Sequence, residues 1–243
     1  MVPEESAFYG FVDGSTSSID GTGISYTHYA SGNDECRITS AAGSVAGSSP
    51  HGSQVWESHY RIGHSGGGPC NLSYNLGAAY DTVHITVSVF WEAGWDPHNI
   101  SEKFMWLNGT SSSDGDPLFE FLYGDFVGYN VTSATGCSQI EVNMAGTAPA
   151  GRSAPCDRAQ SWSINDFDGR WVTLEFQMIQ VPAGNNGTIR VWQDGNLIME
   201  HTGRTFAQVD EASLWDTYGG AGDALPKEQS KLFARWRIAR SAN

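Results

Sequence analysis

From Gln54 onward the chain falls into short runs in which apolar and polar residues alternate, and a period of two marks strands with one buried face. In "TVHITVSVFWE", Val83, Ile85, Val87, Val89 and Trp91 share one face against His84, Thr86, Ser88, Phe90 and Glu92. "RWVTLEFQMIQV" sorts likewise, with Val172, Leu174, Phe176 and Met178 against Trp171, Thr173, Glu175 and Gln177. "QVWESHYRIG" sets Trp56, Ser58, Tyr60 and Ile62 against Glu57, His59 and Arg61. The last run sets Leu232, Ala234, Trp236 and Ile238 against Phe233, Arg235 and Arg237. Further strands are expected in "GISYTHYA", "CRITSAAG", "EKFMWLNG", "PLFEFLYGDFVGYNV", "SQIEVNMA" and "GTIRVWQDGNLIMEHTG". In the last of these, Asp194-Gly195 offers the positive-φ pair of a tight hairpin. No amphipathic helix of convincing length interrupts the runs, and no fixed-period repeat is visible. Short strands parted by Gly, Asn, Asp and Pro turns predict an all-β, antiparallel β-sandwich of jelly-roll type. We expect one domain over residues 1–243, with residues 1–53 as an irregular segment packing on it.

If the sharpest strands share a sheet, its polar face collects Glu57, His59, Arg61, His84, Glu92, Thr173, Glu175, Gln177, Arg235 and Arg237. Two readings follow. One is a solvated outer face, ordinary for an antiparallel sheet with one wet side. The other is a concave groove where His, Arg and carboxylates meet a ligand.

Charge narrows the partners. Thirteen basic residues against 27 acidic ones give a net charge of −14 over 243 residues. Nucleic-acid binding draws its affinity from Lys and Arg neutralising phosphates, so this balance argues against it. Lys103, Lys227 and Lys231 are the only lysines, which leaves no polybasic patch for an anionic membrane. No apolar run reaches membrane-spanning length, and "MVPEESAFYG" lacks the basic and apolar regions of a secretion signal. Two histories stay open: a mature secreted domain given a start Met, or a product released without such a signal, as a virion component would be. The expected location is extracellular or on a virion or cell surface.

Cys36, Cys70, Cys137 and Cys156 are even in number without CxxC spacing, which disfavours zinc. Two disulfides are expected, Cys137 with Cys156 around a Gly/Ala/Pro-rich loop and Cys36 with Cys70, against the alternative of free thiols. Five Asn-x-Ser/Thr sequons (Asn71, Asn99, Asn108, Asn130, Asn186) are no more than chance supplies in a chain this rich in Asn, Ser and Thr.

"ITVSVFWEAGWDPHNISEKFMWLNG", "GRWVTLEFQMI", "NGTIRVWQDGNLIMEHTGRTF" and "LWDTYGGAGDALPKEQSKLFARWRIARS" carry a family likeness. They share a strand followed by a Trp-containing loop and a Lys, a G-x-W strand entry, a V-W-x-D-G hairpin and a Trp-Gly-Gly loop before the last strand. With these the chain resembles the concanavalin A-like lectin/glucanase jelly-roll superfamily, bordering on the jelly-roll polysaccharide lyases. The likeness covers about the last two-thirds of the chain. It implies a glycan partner and a structural calcium, for which the loop acids Asp13, Asp20, Asp114, Asp116, Asp166 and Asp168 offer oxygens, although none has the spacing of a defined calcium loop. No other cofactor is implied.

Fold alone does not choose among lectins, hydrolases and lyases. The Glu-x-Asp-x-Glu run of a retaining glucanase is missing, and so is the Arg-x-Glu-x-Arg strand of the alginate lyases. A glycan-binding protein needs only aromatic platforms and hydrogen-bonding side chains. Its expected ligand residues are Glu57, Glu92, Trp95, His98, Lys103, Glu175, Gln177, Trp215 and Arg235. The alternative is a polysaccharide lyase in which His59 or His84 moves the proton and Arg61 neutralises a uronate. A third class is a structural or decoration protein, with assembly into an oligomer or particle.

Overall fold

The computed structural model describes residues 4–9, 24–28, 35–64, 66–96, 102–109, 119–123, 158–159, 169–180, 187–204, 208–218 and 224–241. They form fourteen strands and one 3-10 turn. The strands are β1 (Glu4–Tyr9), β2 (Ile24–His28), β3 (Glu35–Ser40), β4 (Gln54–Tyr60), β5 (Gly66–Tyr80), β6 (Thr82–Trp91) and β7 (Glu102–Gly109). They continue as β8 (Phe119–Tyr123), β9 (Arg158–Ala159), β10 (Trp171–Ile179), β11 (Gly187–Gln193), β12 (Asn196–Arg204), β13 (Val209–Tyr218) and β14 (Gln229–Ser241).

A nine-stranded sheet runs β3-β4-β14-β6-β10-β11-β12-β9, with β1 on the far half of β14, and a five-stranded sheet runs β2-β5-β13-β7-β8. Every pairing is antiparallel. The two sheets close on one apolar core, so the predicted all-β sandwich is what forms. Residues 1–53 supply β1, β2 and β3, with strands in both sheets: β2 and β3 fall on the expected runs "GISYTHYA" and "CRITSAAG", and β1 is a strand the alternation did not single out.

β6 and β10 follow the predicted alternation. Val83, Ile85, Val87, Val89, Val172, Leu174, Phe176 and Met178 are all buried between the sheets. Each such side chain contributes about 1.5–3 kcal/mol of burial. At the β11–β12 hairpin, Asp194 (φ 49°) and Gly195 (φ 77°) form the expected two-residue turn. The Asp194 carboxylate fastens it to β10, accepting from Thr173 N at 2.8 Å and from Arg170 Nη1 at 2.9 Å.

β14 departs from simple alternation. A bulge lies between Phe233 and Arg235, opposite Val89 and Ser88, and an extra residue reverses which parity faces the core. Phe233 therefore joins Trp236 and Ile238 inside the sandwich. Leu232 and Ala234, expected to share their face, emerge on the opposite side with Val55 and Phe90. Tyr60 and Trp56 of β4 are core as expected, while Ile62, just past the strand, is exposed.

Candidate functional site

The outer face of the larger sheet does collect the predicted polar residues, because β4, β14, β6 and β10 are consecutive neighbours. Residues 41–53 lie over its middle. Ala41 N donates to Ser53 O at 2.8 Å to close the excursion, and Trp171 Nε1 donates to Ser48 O at 2.8 Å on its far side. Beneath it Ala41, Val55, Phe90, Leu232 and Ala234 form a second small apolar cluster, with Ala46 and Trp171 packed against it. This strap divides the expected groove into two polar clusters. His59 lies opposite Ser230 and His84 opposite Ala239, nine positions apart on β14, or about 30 Å of strand. His59 and Arg61 thus cannot share one reaction centre with His84.

The first cluster is a chain of hydrogen bonds. Glu57, 3% exposed, accepts from Ser230 Oγ at 2.8 Å and from Arg37 Nε at 2.9 Å. A carboxylate only accepts, so the Ser230 proton points to Glu57, and the 3.0 Å contact between Ser230 Oγ and His59 Nδ1 is donated by the imidazole. The proton of His59 is thereby fixed on Nδ1. Glu228 stands 3.8 Å from His59 Nε2 and 3.8 Å from Arg61 Nη1. Glu92 accepts from Ser230 N at 2.8 Å. Glu57 and Glu92, expected as ligand residues, are thus engaged in holding the sheet together, Glu57 joining β4 to β14 and Glu92 joining the end of β6 to β14.

The second cluster is also internally paired. His84 Nε2 lies 3.2 Å from Glu175 Oε2, and the His84 ring lies 5.9 Å from that of Trp192. Arg190 spans Glu200 at 2.6 Å and Gln177 Oε1 at 3.2 Å. Arg235 lies opposite Ser88 at the strap's edge. His51 of the strap is held below the usual imidazole range, by burial first and by the Arg235 charge second.

Trp95 is no platform for a sugar. It is 4% exposed, meets the Tyr60 ring edge-on at 5.7 Å, and carries the buried Lys231 ammonium 5.0 Å above its ring. The Gly-rich sequence around it reflects a turn that tucks the indole inward. His98 lies outside the described residues, as do Cys137, Cys156 and the six loop acids expected to offer calcium ligands. Among the described residues no group of three or more His, Cys, Asp and Glu stands ready for a metal, and no helix is long and apolar enough to cross a membrane. Cys36 is in a disulfide, and its Sγ accepts from Trp56 Nε1.

Lys103 and Trp215 fall on the other sheet, on the neighbouring strands β7 and β13. Two strands the sequence reading missed, β5 and β13, form the middle of that sheet. Positions 71, 73 and 75 of β5 alternate with the core residues Tyr74 and Leu76, and positions 211, 213 and 215 of β13 alternate with the core residues Ala212 and Leu214; Ser213, though of the opposite parity, is itself only 1% exposed. Register places Asn71 opposite Trp215, Ser73 opposite Ser213 and Asn75 opposite Glu211. On the other side of β13, Trp106 is opposite Ser213 and Asn108 opposite Glu211. A row of Asn, Ser, Glu and Trp positions therefore crosses three strands. At its centre Ser213 Oγ donates to Glu211 Oε1 at 2.8 Å, so the 2.7 Å contact between Ser73 and Ser213 is donated by Ser73. Burial raises the carboxyl of the adjacent Asp210 above its usual range, and the Glu211 charge adds to the rise.

The strands of the two sheets differ in charge. Arg37, Arg158, Arg190, Arg204, Lys231, Arg235, Arg237 and Arg240, eight of the 13 basic residues, lie on strands of the larger sheet. The strands of the smaller sheet carry Lys103 alone among basic residues, against Glu102, Glu120, Asp210, Glu211 and Asp216.

No protein-family model matches the sequence, and no curated protein sequence matches it. Solved structures do match. The endo-β-1,4-glucuronan lyase of the fungus Trichoderma reesei superposes with a TM-score of 0.63 at 11% identity, over 99% of this chain and 96% of its own. The alginate lyase Aly36B, in complex with an alginate tetrasaccharide, gives 0.57 at 10% identity over 100% and 99%. The alginate lyase vAL-1 from Chlorella virus gives 0.54 at 13% identity over 86% and 90%. The fold is the concanavalin A-like jelly-roll sandwich, which the sequence motifs pointed to.

Proposed function

We propose that the protein binds a polysaccharide or surface glycan, without cleaving it, across the outer face of the five-stranded sheet. One observation carries this reading: the row of Asn, Ser, Glu and Trp positions on β5, β13 and β7, centred on the Ser73–Ser213–Glu211 chain. Sugar rings offer apolar faces to aromatic rings and hydroxyls to amides, hydroxyls and carboxylates, and these residue types answer both needs. The outer face of the larger sheet supports the reading by contrast, since its described side chains are engaged with one another and its centre lies under the strap. The shared fold with polysaccharide-acting proteins is consistent with a glycan partner. The extracellular or particle-surface location expected from the sequence fits such a role.

Retention on a panel of immobilised polysaccharides tests this. Wild-type protein and Arg190→Ala are expected to be retained alike, and Trp215→Ala to be released. Equal retention of the Trp215 variant on every glycan that holds the wild type would remove the proposal.

A second reading, β-elimination of a uronate polymer, is favoured by the Glu57–Ser230–His59 chain, which fixes the proton on Nδ1 and leaves Nε2 as the basic nitrogen. Glu228 weighs against it, because its carboxylate already stands beside both His59 and Arg61, where the substrate's own carboxylate would have to sit. Unsaturated product that disappears in His59→Ala and Arg61→Ala would establish the lyase. Product formation unchanged in both variants would exclude this site.

A further inference from the structure

We infer that the glycan bound on the five-stranded sheet is uncharged, and that Glu211 is the residue that selects against uronates; this rests on the proposed binding face. The inference comes from how charge is divided between the sheets. The strands of the smaller sheet hold Glu102, Glu120, Asp210, Glu211 and Asp216 against Lys103 alone, within a chain of net charge −14. An anionic polymer laid across that sheet meets a field of its own sign, and fields of this kind govern which charged ligands approach a surface.

Glu211 is the acid best placed to act on a bound sugar. It is half-buried at the centre of the polar row, opposite Asn75 on one strand and Asn108 on the other. Ser213 holds one of its oxygens at 2.8 Å, and Ser73 in turn holds Ser213 at 2.7 Å, so the carboxylate is fixed in place. A fixed carboxylate accepts hydrogen bonds from the hydroxyls of a neutral sugar. A sugar carboxylate has no proton to give it near neutral pH and repels it. Selection of this kind works by exclusion as much as by attraction.

The test uses matched oligosaccharide pairs that differ only in oxidation at C6: β-1,4-glucose against β-1,4-glucuronate hexamers, and the corresponding mannose and galactose pairs. Affinities are measured on the intact protein by calorimetry at low and at high salt, for wild type, Glu211→Gln and Trp215→Ala. We expect at least one neutral hexamer to bind with little salt dependence and its uronate partner to bind at least tenfold more weakly. Glu211→Gln should narrow that gap about fivefold while the protein remains folded by circular dichroism. A uronate hexamer that binds as tightly as its neutral partner, and is lost in Trp215→Ala, would overturn the neutral-ligand inference and leave the binding face standing. Binding untouched by Trp215→Ala, or no binding of any hexamer, would overturn the face itself. A gap that Glu211→Gln leaves unchanged would remove Glu211 from the selecting role.

Discussion

The outer faces of the two sheets are both polar, yet they are polar in different ways. On the larger sheet the charges are paired, Arg37 with Glu57 and Arg190 with Glu200, and His84 Nε2 lies 3.2 Å from Glu175. The strap over residues 41–53 seals the middle with its own apolar cluster. On the smaller sheet the residue types are amides, hydroxyls, indoles and unbalanced acids, with Ser73, Ser213 and Glu211 joined at the centre. A face rich in charge is therefore not by itself a site. Ions of opposite sign brought together by strand register satisfy one another and serve the fold. A face with neutral donors and acceptors and a surplus of one charge is the better candidate for recognition.

Breaking the larger face should cost stability and leave binding alone. Glu57→Ala strips two hydrogen bonds from a buried carboxylate and strands Ser230, so we expect about 2–3 kcal/mol lost in urea unfolding, with glycan retention unchanged. Breaking the smaller face should do the reverse. Trp215→Ala is expected to weaken binding about tenfold, or ~1.4 kcal/mol, with the unfolding midpoint almost unmoved. A smaller effect is expected at the strap: Trp171→Phe removes the indole bond to Ser48 O, lowers stability by about 1 kcal/mol and speeds proteolytic nicking between residues 41 and 53.

The smallest effect concerns pH. His51 has a folded-state pKa lowered by burial and by Arg235, so the unfolded chain holds more protons at this residue than the folded one below about pH 6.5. Its contribution to stability is present above that pH and lost as the pH falls. Asp210 has the opposite sign: its raised pKa contributes stability at low pH that is lost as the pH rises through the folded value. His51→Gln should therefore flatten the fall in stability expected for the wild type between pH 7 and pH 5, as read by thermal unfolding. Equal slopes in the two proteins would show that His51 does not contribute to the pH dependence of stability.

The residue pattern alone was enough for β6, β10 and the β11–β12 hairpin. Val83 to Val89 and Val172 to Met178 alternate because strand geometry sends successive side chains to opposite faces, and burial demands apolar groups on only one of them. Asp194-Gly195 announces its turn because few other residues adopt two positive-φ positions. Net charge and the lack of a lysine cluster argued against nucleic acid and an anionic membrane as partners without any coordinates.

Tertiary structure decided the rest. β5 and β13 are legible only with their neighbours present: Asn71, Ser73, Asn75 and Ser213 have weak strand preference of their own, and it is pairing with each other that orders them. The bulge after Phe233 inverts the last strand, a shift that one extra residue opposite Val89 and Ser88 creates and no local pattern records. Trp95 looked exposed from its polar neighbours and is buried, because a turn rather than a strand sets its direction. The separation of His59 from His84, and the assignment of Lys103 and Trp215 to a different sheet, depend on which strands lie side by side. Sequence fixes the alternation within a strand through local sterics, whereas the order of strands in a sheet is set by long-range burial and register.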